Sequence, residues 1–264
     1  MALVKDPWEV TLMRESAKRL ADVATALREA VRPGVTTGEL DAIAEREIRA
    51  RGAVPSFKGY TAGGDVPFPA TICASVNEEV VHGIPGDRVL ADGDIISVDM
   101  GLIYGGYHAD HAFTAAVGEV SDRVKELLDA TERSLYEGVL RATAGNRIGD
   151  IGHAIQKHVE PQGFGVVREY VGHGIGRRLH EAPSVPNFGR PGKGNLLKPG
   201  MCLAIEPMIT MGSFKTKTLD DAWTVVTQDG SLAAHFEHTI VITESGPEVL
   251  TAPEGAMRAW PAGA

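Results

Sequence analysis

VTTGELDAIAEREIRARG, residues 35–52, returns 111 residues later as NRIGDIGHAIQKHVEPQG, residues 146–163. Gly38 falls on Gly149, Glu39 on Asp150, Leu40 on Ile151, Ile48 on Val159 and Gly52 on Gly163. In the first copy Thr36 and Glu39 have capping-box spacing. Leu40, Ile43, Ala44 and Ile48 then recur at helical intervals, and Gly52 ends the segment. Two amphipathic helices can share a period by chance, but paired glycines and a paired acid at one offset favour duplication. Each copy also follows a longer helix. Val10, Met13, Ala17, Leu20, Ala24, Leu27 and Val31 form the buried face of the first, which Pro33-Gly34 stops. The second covers 121–142 and ends near Gly145. Each helix pair is followed by strand-like sequence and a His-Gly-Ile, at 82–84 and 173–175. The expected class is α+β, with two pseudo-symmetric halves of helix, helix and antiparallel sheet. We expect one catalytic domain over 1–264, with halves of about 8–120 and 121–250 and a frayed tail from 251 rich in Ala, Pro and Gly. A site between such halves is a natural place for chemistry.

With 264 residues, 43% of them hydrophobic, the chain can bury a large core. Its net charge of −9 argues against nucleic acid as a main partner, since phosphate binding needs clustered Lys and Arg. Cys73 and Cys202 are the only cysteines, too few for a disulfide framework. MALVKDPWEV carries charges where a signal peptide needs an apolar stretch, and no apolar run reaches membrane-spanning length. A cytoplasmic, monomeric globular protein with no membrane partner is the expectation.

The remaining sequence is mostly β. IISVDMGLI (95–103) and YHADHAFTAAV (107–117) flank Tyr104-Gly105. CLAIEPMIT (202–210), AWTVVTQ (222–228) and HFEHTIVIT (235–243) form a second set, with Asp229-Gly230 as a hairpin turn between the last two. Acids are depleted in strands, and buried ones must be paired or bound to metal. Asp99 and Asp110 both interrupt apolar strands. With a two-residue loop at 104–105 they lie directly opposite on one face, where like charges repel unless a cation lies between them. The bland alternative, a solvated hairpin with two acids, fits poorly with Ile95, Ile96, Val98, Ile103, Phe113 and Val117 around them. Glu206 and Glu237 are likewise carboxylates amid apolar residues, and His173 sits in a glycine-flanked turn. Four carboxylates and a neutral imidazole are neutralised by two divalent cations, of the kind Mn, Fe, Co or Zn. Such a pair acidifies water and polarises a carbonyl. No HExxH or CxxC pattern competes with this reading.

The segments ICASVNEEVVHGIP (72–85), SVDMG (97–101), YHADHAFT (107–114), VGHGIG (171–176), LHEAP (179–183), AIEPM (204–208) and HFEHT (235–239) stand in the order and spacing of the methionine aminopeptidases. From about residue 8 to 250 the chain resembles the type I enzymes of that family. The resemblance implies the pita-bread fold and removal of N-terminal methionine from nascent chains whose second residue is small. Asp99, Asp110, His173, Glu206 and Glu237 match the metal ligands, with Asp110 and Glu237 as bridges. Glu206 also matches the proton shuttle, His82 the histidine near the substrate amine and scissile nitrogen, and His180 the one that holds the scissile carbonyl. Cys73 and Trp223 match residues of the methionine side-chain pocket, and Phe68 and Leu179 stand where the family often has Tyr and Phe.

Each of these has a plainer alternative. His82 and His180 could cap turns, Cys73 could be a small core residue, and Trp223 could be hairpin packing opposite Phe236. His108, His111 and His238 flank ligands, and alternation puts His111 and His238 on the other face, whereas His108 shares parity with Asp110. The stretch FKGYTAGGDVPFPATIC (57–73) is longer and richer in glycine than in many bacterial members. Two rival readings are an Xaa-Pro aminopeptidase or prolidase, which typically carries an extra N-terminal domain, and a binding module that has lost its ligands. The helix pair begins near residue 10 and all five ligand positions are filled, which favours neither. Ribosome docking would suit a nascent substrate, although no residue points to it. Met1-Ala2 makes the chain a candidate for its own substrate.

Overall fold

Glu39 and Asp150, aligned by the repeat, perform the same task. Glu39 Oε2 accepts the backbone N–H of Thr36 at 2.8 Å, and Asp150 Oδ2 accepts that of Arg147 at 2.7 Å. Each acid thus closes the first turn of its helix, α2 (Thr37–Ala50) and α4 (Ile148–Val159). The glycines are paired for a common reason. Gly38 and Gly149 let a later loop run against the start of the helix, with Gly38 N–H donating to Gly86 O and Gly149 N–H to Lys193 O. A side chain on Gly149 would run into the carbonyl of Arg190. The longer helices are α1 (Pro7–Ala30) and α3 (Asp122–Arg141). The computed structural model describes residues 3–61 and 63–252. Met1-Ala2 and nearly all of the expected frayed tail lie outside them.

Nine antiparallel strands make the main sheet. Its path runs Val54–Pro55, Ile95–Tyr104, Tyr107–Ala116, Glu237–Thr243, Cys202–Ile205, Gly172–Gly174 and Glu181–Val185, with Ile72–Val76 and Gly246–Val249 paired at the side. Two three-stranded sheets flank it, Ala233–His235 with Met208–Thr210 and Gly165–Val166, and Thr216–Thr218 with Val225–Thr227 and Glu79–Val81. One apolar core joins helices and main sheet: Met13, Leu20, Leu27, Leu40 and Ile48 from α1 and α2, Leu127, Leu135, Ile151 and Ile155 from α3 and α4, and Ile95, Phe113, Leu203 and Ile240 from the strands. Burying each such side chain stabilises the fold by about 1.5–3 kcal/mol. Ile43, expected in the buried stripe of α2, is only half-buried.

The structure corrects three sequence expectations. The turn between Ile95–Tyr104 and Tyr107–Ala116 is Gly105-Gly106, both at positive φ. Asp99 therefore pairs with Ala112, and Asp110 with Gly101, rather than with each other. The shift is two residues, so both acids stay on the same face; a one-residue slip would have separated them. Second, residues 222–228 and 235–243 form no hairpin across Asp229-Gly230, because Val225–Thr227 pairs with Thr216–Thr218 and Glu79–Val81. Trp223 consequently does not face Phe236. Third, the runs 202–210 and 235–243 are each broken, at Glu206-Pro207 and at Phe236, and pass from the main sheet to a small one.

Gly149→Ala is expected to destabilise the protein by about 1–3 kcal/mol through overpacking against a loop backbone. Gly38→Ala, where an added Cβ clears Gly86 O by 3.0 Å, should cost less. Urea unfolding of the two variants measures the difference.

Candidate metal centre and substrate cavity

Ala112 is the hub of the site. Asp99 lies across from it on one side and Glu237 on the other, while Asp110 precedes it by two residues on the same strand. The three carboxylates therefore share a face around a residue too small to obstruct them. Pairing of His238 with Ile205, continued by one residue, brings Glu206 across from Glu237. His173 pairs with Ala204, two residues before Glu206, and joins the same face. The five candidate ligands thus come from five separate strand segments but one sheet surface. Asp110, His173 and Glu237 place ligand atoms within 4.8 Å of one another. His173 Nε2 is 3.5 Å from Glu206 Oε1 and 3.9 Å from Asp110 Oδ2.

The electrostatics are those of a crowded anionic site. Desolvation, then mutual repulsion, holds Asp110, Glu206 and Glu237 well above the usual carboxylate range. Desolvation takes Asp99 to about 7. Asp99 Oδ1, Asp110 Oδ1 and Glu237 Oε1 are buried with no hydrogen-bond donor among the described residues. His173 Nδ1 lies 2.9 Å from Gly174 O. A carbonyl only accepts, so Nδ1 carries the proton and Nε2 presents a bare lone pair to the carboxylates. Burial lowers the His173 pKa to about 3, so the ring is neutral. Acceptors facing acceptors in a buried place are repulsive unless a cation lies among them. The donor set, oxygens and one imidazole nitrogen, fits divalent metal.

The remaining predicted residues line the same cavity, of about 280 Å³: Phe68, Cys73, His82, Leu179, His180 and Trp223. Phe57, Phe68, Ala70, Cys73 and Leu179 form an apolar cluster separate from the main core, with Tyr60, Ile84 and Trp223 packed on it. The Trp223 ring meets Phe68 edge-on at 5.2 Å and His82 at 5.9 Å. His82 sits at φ 62, a conformation rare outside glycine, and Tyr170 packs on its other side at 5.6 Å. Burial takes the His82 pKa to about 4. Cys73 pairs with Asp99 across the strands, and burial pushes its thiol well up, away from reactivity.

The flanking histidines divide as alternation requires. His111 and His238 stack at 4.8 Å behind the sheet, where His238 Nε2 meets Tyr136 OH and His111 Nδ1 meets Glu237 O. His108 shares the ligand face but bonds Ser56 Oγ at 2.9 Å and does not line the cavity. Sequence reasoning missed four residues. Thr239 Oγ1 takes the Asp110 N–H and donates to the Asp110 carbonyl, clamping that strand position. Asn187, fully buried, donates to Glu206 O. His235 lines the cavity, with Nε2 3.9 Å from Glu206 Oε2. Tyr60 OH lies 2.6 Å from His180 Nδ1. His235 stands two residues before Glu237, on the same parity, which was the one available signal.

Convergent carboxylates and an imidazole beside an apolar cavity, in a mixed α and β fold, are the makings of a metal-dependent hydrolase. Residues 11–244 match metallopeptidase family M24, and the chain belongs to that family. It is 55% identical to methionine aminopeptidase 1 of Bacillus subtilis (strain 168), over 95% of this chain and 99% of that protein. The crystal structure of methionine aminopeptidase from Thermotoga maritima has a TM-score of 0.91 at 45% identity, covering 95% of this chain and 99% of that one. An Xaa-Pro dipeptidase from Bacillus anthracis scores 0.75 at 26% identity, and this chain, 95% covered, spans 62% of it. The architecture is the expected pita-bread fold.

Protons and cations compete for this site, and the raised carboxylate pKa values give the direction. Below about pH 7 Asp99 holds a proton that a cation must displace, above it that carboxylate is free, and the raised proton affinity of its three neighbours acts in the same direction. Mn(II) added to metal-stripped protein should therefore raise Tm more at pH 8 than at pH 5.5. A hundredfold excess over Kd corresponds to about 2.7 kcal/mol. Asp99→Asn should raise the Tm of the stripped protein at pH 8 by removing repulsion, and blunt the gain from Mn(II). Differential scanning calorimetry at the two pH values checks both.

Proposed function

We propose that the protein is a methionine aminopeptidase, removing N-terminal methionine from nascent polypeptides whose second residue is small. One juxtaposition carries this reading: convergent carboxylates and a lone-pair-bearing imidazole form the floor of a cavity with an apolar wall. Family membership and the high identity to a methionine aminopeptidase support it. An unbranched thioether suits walls made of Phe68, Cys73, Leu179 and Trp223, being apolar, flexible and polarizable.

Asp99, Asp110, His173, Glu206 and Glu237 would hold two divalent cations. When bound, the cations supply Lewis acidity and bring the ionisation of water near neutral pH. Glu206, just past the end of the strand Cys202–Ile205, takes the proton of the attacking water and returns it to the leaving amine. His180 donates to the scissile carbonyl oxygen, offsetting the negative charge that develops there. His82, its ring wedged between Tyr170 and Trp223, orients the scissile nitrogen. The aromatic walls exclude water from the methionine side chain. No helix among the described residues is long and apolar enough to cross a membrane. A cytoplasmic monomer that meets its substrates at the ribosome completes the proposal, and no nucleic acid is needed for it.

Metal-stripped protein should release methionine from Met-Ala-Ser only after Co(II), Mn(II), Fe(II) or Zn(II) is restored, and should leave an Ala-Pro peptide intact. Glu206→Gln should lower kcat by about 10²- to 10⁴-fold. Cleavage of Ala-Pro alone would place the activity with the proline-specific peptidases. No release with any metal would overturn the reading in favour of a binding module.

A further inference from the structure

His173 and His180 stand with ring centroids 4.2 Å apart, yet the proposed chemistry needs opposite things of them. His173 must offer a lone pair from Nε2. His180 must offer a proton. A neutral imidazole has one donor and one acceptor nitrogen, and whatever bonds Nδ1 decides what Nε2 presents. For His173 the partner of Nδ1 is the carbonyl of Gly174, an obligate acceptor. For His180 it is a phenol, Tyr60 OH at 2.6 Å.

We infer that Tyr60 is a positioning residue: its O–H donates to His180 Nδ1 and so holds the Nε2–H of His180 towards the scissile carbonyl oxygen. This inference rests on the proposed function above. The bond is short, as expected when a phenol donates to an imidazole nitrogen. His180 stands at the solvent-accessible mouth of the cavity. The reverse arrangement, Nδ1–H donating to the phenol oxygen, would leave a lone pair on Nε2. A lone pair there cannot bind a carbonyl and would add one more acceptor to a cavity already lined with carboxylates.

The backbone holds Tyr60 still. Tyr60 N–H donates to Phe57 O at 2.8 Å, Gly59 N–H to Phe68 O at 2.8 Å, and Phe68 N–H to Tyr60 O at 2.7 Å. These three bonds close the base from which Tyr60 and Phe68 both enter the cavity. Packing of the two rings, centroids 5.3 Å apart, limits rotation of the imidazole.

The test pairs kinetics with spectroscopy. Removing an orienting partner of this sort costs about ten-fold, so Tyr60→Phe should lower kcat by about that factor and change KM by less than about two-fold. In a His180→Ala background, Tyr60→Phe should cost nothing further, because both act through one imidazole. ¹⁵N spectra of the Zn(II)-loaded, histidine-labelled protein, with His180 assigned from His180→Ala, should show Nε2 protonated and Nδ1 as a hydrogen-bonded acceptor. The Nδ1 signal should move in Tyr60→Phe. A protonated Nδ1 in the wild type, an additive loss in the double variant, or an unchanged kcat in an active enzyme would overturn the inference. Absence of methionine release from the wild type would instead defeat the proposed function, and the ¹⁵N measurement would still report the Tyr60–His180 bond.

Discussion

The repulsion among four carboxylates on one sheet face is the constraint from which the rest of this structure follows. Asp99, Asp110, Glu206 and Glu237 are brought together where desolvation opposes the ionisation of all four and mutual charge opposes that of the last three. Left alone, such a cluster would hold protons or push the strands apart. It persists because the surrounding fold is costly to deform. Strands pair on both sides of Ala112, helices cover the opposite face, and a threonine hydroxyl clamps Asp110 at both its N–H and its carbonyl. The strain is of the kind found at functional sites, and divalent metal would relieve it.

The duplication explains how a single sheet collects these ligands. Each helix pair buttresses strands with the same local devices: an acid that closes the first turn, and a glycine that admits a loop backbone. Asp99 and Asp110 come from the first half, His173, Glu206 and Glu237 from the second. Glu206 and Glu237 stand at strand breaks, where the chain passes between the main sheet and a small one. Breaks of this kind turn a carboxylate such as Glu206 out of the ladder and towards the cavity.

Around the anionic floor, the side chains are sorted by what their neighbours allow. His111 and His238, one residue from ligands, are sent behind the sheet by alternation and stack there under Tyr136. His82 is held in a left-handed backbone between two aromatic rings. Opposite tautomers in two adjacent imidazoles need only different partners for Nδ1, a carbonyl for one and a hydroxyl for the other. The apolar wall is a satellite of the core rather than part of it, which leaves it free to shape a pocket.

Residue type and periodicity by themselves determined the helices, the duplication, the two central strands and the five candidate ligands. These are local properties: period 3.6 or 2, a cap three residues from its acid, a charge within an apolar run. Parity survived even where register did not, since the turn moved to Gly105-Gly106 and shifted the pairing by two. Only the tertiary structure decided which strands pair. Asp229-Gly230 reads as a hairpin locally, but the flanking strands find better partners in other sheets, so Trp223 faces Phe68 and His82. Tyr60, Asn187, His235 and Thr239 were illegible for the same reason. Each acts through a partner between 19 and 129 residues away, and no local pattern encodes a contact made by two distant segments.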